Sequence, residues 1–256
     1  MEGKSYSTIN IARSALSAIG LKQDGVTVGS HPTIVRLMKG MFNLRPTRAR
    51  TSNTWDVNKV IDHLRNLPTV KDISTKELTM KLTMLLALTH AARPQTLHLI
   101  TIEGMRKSED NYTLNLSAAL KQTKPGKPLE NIIVRRYPHD NNLCAYTTLQ
   151  EYLSRTAQWR EHNGPLLLSY VKPHKPVSRD TIKRWMRTVM KNSGIDTNQF
   201  TAYSTRAAAV SKAAETSIPM ECILKTAGWS RESTFAKFYH KNIVTETSFS
   251  ETILNV

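Results

Sequence analysis

A capping box at Ser74 and Glu77 opens a long apolar helix that runs through Ala91, and this stretch limits what the chain can become more than any other. In such a box the serine hydroxyl and the glutamate carboxylate each satisfy a backbone N–H that the first helical turn leaves open. The apolar residues that follow need a core around them. A chain of 256 residues with 39% hydrophobic content, about two domains' worth by length, has the material for one. Helical patterns recur on both sides. Residues 7 to 19 put Ile9, Ala12, Leu16 and Ile19 on one face, with Ser7 as the cap and Gly20 as the stop. Ile34, Leu37, Met38, Met41 and Phe42 form a second stripe that ends before Arg45 and Pro46, and Val57, Val60, Ile61, Leu64 and Leu67 mark a third that ends at Pro68. Tyr112, Leu114 and Leu116 then alternate with polar residues, and Ile132 to Val134 follow across the turn-rich KQTKPGKP, together reading as a hairpin. Further helices are expected over 143–158 and 178–193, after Ser204, from Pro219 to Ala227 with Gly228 as the stop, and after the cap Ser230. The expected fold is mainly α with a small antiparallel β-sheet.

Between Asn43 and Thr54 the sequence NLRPTRARTSNT holds three arginines, no acid and no apolar period, so it reads as a solvated connection. Residues 1–45 are therefore a small helical domain, 46–54 a basic linker, and the second domain begins at residue 55. No run of about 18 apolar residues occurs and the N-terminus lacks a signal-peptide pattern, which points to a soluble intracellular protein with no membrane partner. Cys144 and Cys222 lie far apart and form no ligand cluster, so both are expected to be buried thiols. The 36 basic and 20 acidic residues leave a net charge of +16, an excess that suits a polyanion such as nucleic acid. Seven basic residues against one acid lie between Lys172 and Lys191, with Arg179, Lys183 and Arg187 on one face of the expected helix, which marks them as candidate phosphate contacts. Arg45, Arg48 and Arg50 of the connection are candidates of the same kind.

Signatures of nucleotide, zinc-protease and serine-hydrolase sites are missing from the sequence, which leaves metals and small-molecule cofactors without support. His63, His90 and His98 sit inside helical patterns and read as packing or surface residues. What remains is an ordered constellation of basic and aromatic residues. LLALTHAARPQTLHLI, QTKPGK, TAYSTR and AGWSRESTFAKFYHK occur in the order in which the tyrosine recombinase (phage integrase) family carries its first arginine, its lysine turn, its H-x-x-R box and its tryptophan followed by a tyrosine. The chain resembles that family over about residues 55–245, its catalytic domain, and residues 1–45 resemble the later helices of its core-binding domain, shorter than a complete one. TINIARSALSAI, HPTIVRLMKG, TWDV, ARPQTLHL and GWSRESTFAKFYH are closest to recombinases of DIRS- and Ngaro-type retrotransposons, with Cryptons a near alternative.

That resemblance implies a DNA strand transferase that needs neither metal nor ATP and no cofactor. It implies two domains forming a clamp on duplex DNA, dimers on a site, tetramers in synapsis and a nuclear location. It also implies the roles. Arg93 and Arg206 hold the scissile phosphate, Trp229 donates to it, Tyr239 attacks phosphorus and Lys124 protonates the departing oxygen. The residue types suit those tasks, since guanidinium groups fork onto phosphate oxygens while staying charged, and a phenol with pKa near 10 needs cations and a proton acceptor before it attacks. Residues 246–256 are expected as a tail docking on a neighbouring protomer. Three departures stand out: Tyr203 occupies the usual histidine position, Thr96 replaces the acid three residues after the first arginine, and Trp229 to Tyr239 is one residue longer than in many members. A weakened, domesticated DNA-binding protein is the alternative they favour, and a type IB topoisomerase would share the chemistry.

Overall fold

The computed structural model describes residues 3–46, 53–120, 123, 126, 130–160, 164–216 and 218–243. The chain divides into two compact units, Met1–Ser52 and Asn53–Val256. The division falls inside the arginine-rich connection, whose last two residues form strand β3 (Asn53–Thr54) instead of linker.

In the first unit, helices α1 (Tyr6–Ala18) and α2 (Pro32–Leu44) are joined by a hairpin of strands β1 (Lys22–Gln23) and β2 (Val26–Thr27). Ser5, not Ser7, caps α1, its hydroxyl accepting from the Thr8 N–H at 3.3 Å, because a cap stands outside the helix three residues before the donor it serves. The hairpin was not expected from the pattern. Its signal is Asp24-Gly25, both at positive φ (50° and 78°) as a two-residue turn of this kind needs, but the flanking strands are too short to alternate visibly.

The second unit is built around α4 (Thr75–Thr89), whose capping box forms as read, with the Glu77 N–H donating to Ser74 Oγ and the Ser74 N–H donating to the Glu77 carboxylate. Every residue from Leu78 to Leu88 is buried, including Lys81, whose ammonium donates to the Leu64 carbonyl at 3.0 Å where α3 (Val57–Arg65) ends. Helix α4 stops at Thr89 instead of Ala91, and Arg93 opens a new helix, α5 (Pro94–Leu99), instead of ending the old one. Proline favours the first helical position, and Ala91 turns the chain through φ 44° before it.

A three-stranded antiparallel sheet, β4 (Ile100–Lys107), β5 (Asn111–Leu116) and β6 (Ile132–Arg135), follows in the order β4-β5-β6. Leu114 faces Ile132 and Tyr112 faces Val134, as the alternation requires, while β4 is an extra strand with a register shift around Gly104 at φ 66°. Helices α6 (Ala145–Thr156), α7 (Arg179–Asn192), α8 (Ser204–Glu215), α9 (Met220–Ala227) and α10 (Glu232–Phe238) complete the unit, with a short 3-10 turn at Ala157–Trp159. Strand β7 (Asn242–Ile243) then returns to pair in parallel with β3. Arg231, not Ser230, holds the N-cap position of α10, without a side-chain capping bond.

The expected class holds: the chain is mainly helical with small sheets. Cys144 is buried as expected, but Cys222 is exposed, since the buried residues of α9 are Ile223 and Ala227 and Cys222 falls beside that face. Among the described residues no helix is long and apolar enough to cross a membrane, and no group of three or more His, Cys, Asp or Glu is placed to hold a metal. A second, smaller core of Ala91, Val210, Ile223, Ala227 and Phe235 carries Trp229 and Tyr239 at its edge.

Candidate active site

Trp229 and Tyr239 pack on this smaller core, and Arg206 lies against both rings. Arg206 lies in α8 among Ala207, Ala208 and Val210, whose small buried side chains let the helix pack closely, and it is 5% exposed. Its Nη1 donates to the Ala91 carbonyl at 2.9 Å and its Nη2 to the Ala227 carbonyl. The Ala227 carbonyl ends α9, where a helix leaves acceptors open and the dipole favours a cation, and the Ala91 carbonyl lies in the turn between α4 and α5. The guanidinium carbon lies 4.7 Å from the Trp229 ring centre and 5.6 Å from that of Tyr239, and the two rings are 4.4 Å apart. Burial, then the nearby Arg93 charge, lower the Arg206 pKa to about 10, against an opposing pull from Tyr239. The group therefore stays charged at neutral pH.

Arg93, half-buried at the start of α5, is close enough for its charge to be felt at Arg206. Gly228 ends α9 in the left-handed conformation, φ 64°, and turns the chain so that Trp229 follows onto the core. Tyr239 is the residue after α10, and its N–H donates to the Phe235 carbonyl at 2.8 Å. Two donors here have no acceptor: Arg206 Nε and the indole Nε1 of Trp229 are both buried without a hydrogen-bond partner.

Beside Arg206 opens a cavity of about 360 Å³ whose lining includes Thr96, Thr123, Ile133, Cys222 and Lys225. Lys124 lies outside the described residues. Tyr203 precedes α8 and is 57% exposed, its ring lying under the Lys183 ammonium at 5.2 Å. Lys183 also pairs with Asp180 at 2.7 Å, which raises its pKa, and Arg179 donates to Gln95 Oε1 at 2.9 Å. Arg187 is exposed on the same helix, and Arg45 is exposed in the first unit, donating to the Lys4 carbonyl at 3.3 Å. Arg48, Arg50 and residues 246–256 lie outside the described residues.

The sequence reads His90 as a packing or surface residue. It follows α4 directly and lines the cavity, its Nε2 3.1 Å from the Ile133 carbonyl and its Nδ1 2.9 Å from Thr89 Oγ1. It thus ties the turn that holds Arg206 to strand β6. Sequence offered only a lone histidine beside the arginine motif.

A model of the phage integrase family matches residues 55–244. The chain belongs to the phage integrase family. Solved structures of similar fold include a XerA recombinase (TM-score 0.54, 15% identity, covering 98% of this chain and 82% of that one). A lambda integrase (75–356) dimer bound to a COC′ core site matches with TM-score 0.54 and 13% identity over 95% of this chain and 74% of that one. The Tn1549 transposon integrase (residues 82–397) in complex with circular intermediate DNA matches with TM-score 0.56 and 13% identity over 99% of this chain and 80% of that one. At these identities the likeness between the integrase-family chain and its neighbours is one of fold. No curated protein sequence matches the chain.

Proposed function

We propose that the chain cleaves and rejoins duplex DNA through a covalent 3′-phosphotyrosine on Tyr239, serving site-specific recombination or integration of a mobile element. The observation that carries this reading is the pair of buried donors without acceptors, Arg206 Nε and Trp229 Nε1, beside the Tyr239 ring. A buried donor left unsatisfied costs about 1–3 kcal/mol, and an oxyanion set between these two recovers that cost while meeting the charge of Arg206. A phosphodiester under attack gains charge on its non-bridging oxygens, so Arg93, Arg206 and Trp229 hold the transition state more tightly than the ground state. The Tyr239 oxygen bonds to phosphorus as the bond to the 5′-oxygen breaks. The phenol proton leaves to an acceptor; Tyr203, in the box's usual histidine position, would take it as a tyrosinate or relay it by giving its own hydroxyl proton to solvent, and Lys124 gives a proton to the departing oxygen. One phosphodiester is exchanged for another, so neither ATP nor a metal is called for.

Arg45, Arg48, Arg50, Arg179, Lys183 and Arg187 are assigned to backbone phosphates, in keeping with the charge of +16. Self-association as a dimer on a site and a tetramer in synapsis, with residues 246–256 bridging protomers, belongs to the same reading. So do a DIRS- or Ngaro-type element, or a Crypton, and a nuclear location. A second reading, a DNA-binding protein with weakened catalysis, is favoured by one observation, the exposed Tyr203 ring lying against Lys183.

The test is a pool of nicked duplexes with a randomised core, incubated with the protein and scored for SDS-resistant adducts, whose sequences then define a site. Wild-type protein is expected to form the adduct and Tyr239→Phe to form none while binding the same DNA. Binding without any wild-type adduct would support the second reading, and an adduct persisting in Tyr239→Phe would overturn the nucleophile.

A further inference from the structure

We propose that Ser211 is a positioning residue for the nucleophile, its buried hydroxyl fixing the backbone of Tyr239 in register with Arg206. The inference rests on Tyr239 being the attacking phenol. Ser211 lies on α8, five residues after Arg206, and is 1% exposed. Its Oγ donates to the Tyr239 carbonyl at 2.8 Å and accepts from the Lys241 N–H at 3.2 Å. A serine hydroxyl has one proton and two lone pairs, so both bonds form together.

The direction of that hydroxyl sets it apart from Ser14, Ser17 and Ser193. A serine in a helix ordinarily bonds back to the carbonyl four residues earlier. Ser14, Ser17 and Ser193 do so, to the Asn10, Arg13 and Val189 carbonyls at 2.9, 3.0 and 2.8 Å. Ser211 instead reaches out of its helix to a segment 28 residues further along the chain.

The segment it grips needs a tether. Helix α10 has seven residues, too few to stand by its own hydrogen bonds, and Tyr239 lies just past its end. With the Phe235 bond to its N–H and the Ser211 bond to its carbonyl, the Tyr239 backbone is held on both sides. The Lys241 bond and the pairing of Asn242–Ile243 with Asn53–Thr54 hold the chain beyond it. One rigid helix thus carries both the guanidinium that faces the phosphate and the hydroxyl that locates the phenol. A misplacement of about 1 Å at a reacting atom costs on the order of 10²-fold in rate.

The experiment measures single-turnover adduct formation at saturating concentration of the nicked duplex defined above. Ser211→Ala is expected to slow the step about 10- to 100-fold while leaving DNA affinity within about twofold of wild type; its melting temperature falls modestly, because the Tyr239 carbonyl and the Lys241 N–H lose their partner, but the protein stays folded at the assay temperature. A 5′-phosphorothiolate duplex, whose leaving group needs no proton, should show the same loss, because the fault lies with the nucleophile. Ser211→Thr, which keeps the hydroxyl, should recover most of the rate. Wild-type speed in Ser211→Ala, a loss matched by weaker DNA binding, a Ser211→Ala already partly unfolded at the assay temperature, or a well-folded Ser211→Thr no faster than Ser211→Ala would each overturn the inference. If the wild type forms no adduct, the cleavage reading itself fails; a wild-type adduct with an unimpaired Ser211→Ala sinks only the positioning role.

Discussion

At the scale of single residues, the site places cations where stability alone would not put them. Arg206 gives up water and sits near Arg93, and two backbone carbonyls, which carry only partial charge, hold it, Ala91 in the turn after α4 and Ala227 at the end of α9. Arg206→Ala is expected to lower the cleavage rate by about 10² to 10³ while reducing DNA affinity far less, since the missing donors serve the charge that develops during reaction. Paired binding and single-turnover assays check this. His90 has a different signature. Burial holds its imidazole below the ordinary 6.5 despite bonds to the Ile133 and Leu86 backbone, and His63 is lowered likewise by burial and by Lys81. Folded-state values below the unfolded one mean that the unfolded chain takes up these protons more readily. The stability is present above pH 6.5 and is lost as pH falls from there toward the lower folded-state values. Melting curves between pH 7 and 5 should therefore decline, and His90→Gln, which keeps a donor for Ile133, should flatten the decline.

At the scale of elements, what matters is which face each helix turns inward. Helix α7 buries Ile182, Trp185, Met186, Val189 and Met190, so Arg179, Lys183 and Arg187 are left on the outer side. If that side meets a duplex, replacing all three by alanine should reduce the slope of log affinity against log salt by up to about 0.9 for each phosphate no longer neutralised. Lys183 should contribute least, since Asp180 already pairs with it at 2.7 Å. Titrations at several salt concentrations decide the matter, and an unchanged slope would leave the face merely solvated. The same logic of faces explains Cys222. A single thiol carries no sign of which way its helix will turn, and only the packing of Ile223 and Ala227 against Val210 and Phe235 settles it.

Over the whole molecule, the two ends of the catalytic unit meet in the short parallel pairing of β3 with β7, which brings the chain after Tyr239 back onto its own unit as far as Ile243. Of the apolar residues that follow His240, Ile243 is therefore committed in cis. In the proposed function, residues 246–256 are the part that reaches a neighbouring protomer. Deleting residues 246–256 should leave binding to a single DNA site unchanged and weaken the joining of two sites, a heterologous contact that closes a ring. Band-shift assays with one and two sites read the two steps separately, and unaltered assembly would show that the tail has no part in it.

The sequence by itself determined the helical class, the capping box of α4, the hairpin of β5 and β6, and the order of the site's motifs. These are local facts: a cap acts within three residues, alternation has a period of two, and a helical stripe has a period of 3.6. It did not disclose the short hairpin at Asp24-Gly25, strand β4, or that Arg93 begins a helix, because a few residues carry too little pattern to outweigh neighbouring signals. Only the tertiary structure brought Arg206 between the turn after α4 and the end of α9, turned Tyr203 toward Lys183 and set Ser211 against Tyr239. Those pairings join residues 20 to 115 positions apart. They exist because a close-packed core leaves each helix one way to bury its apolar face, and polar side chains then bond to whatever that packing places within reach.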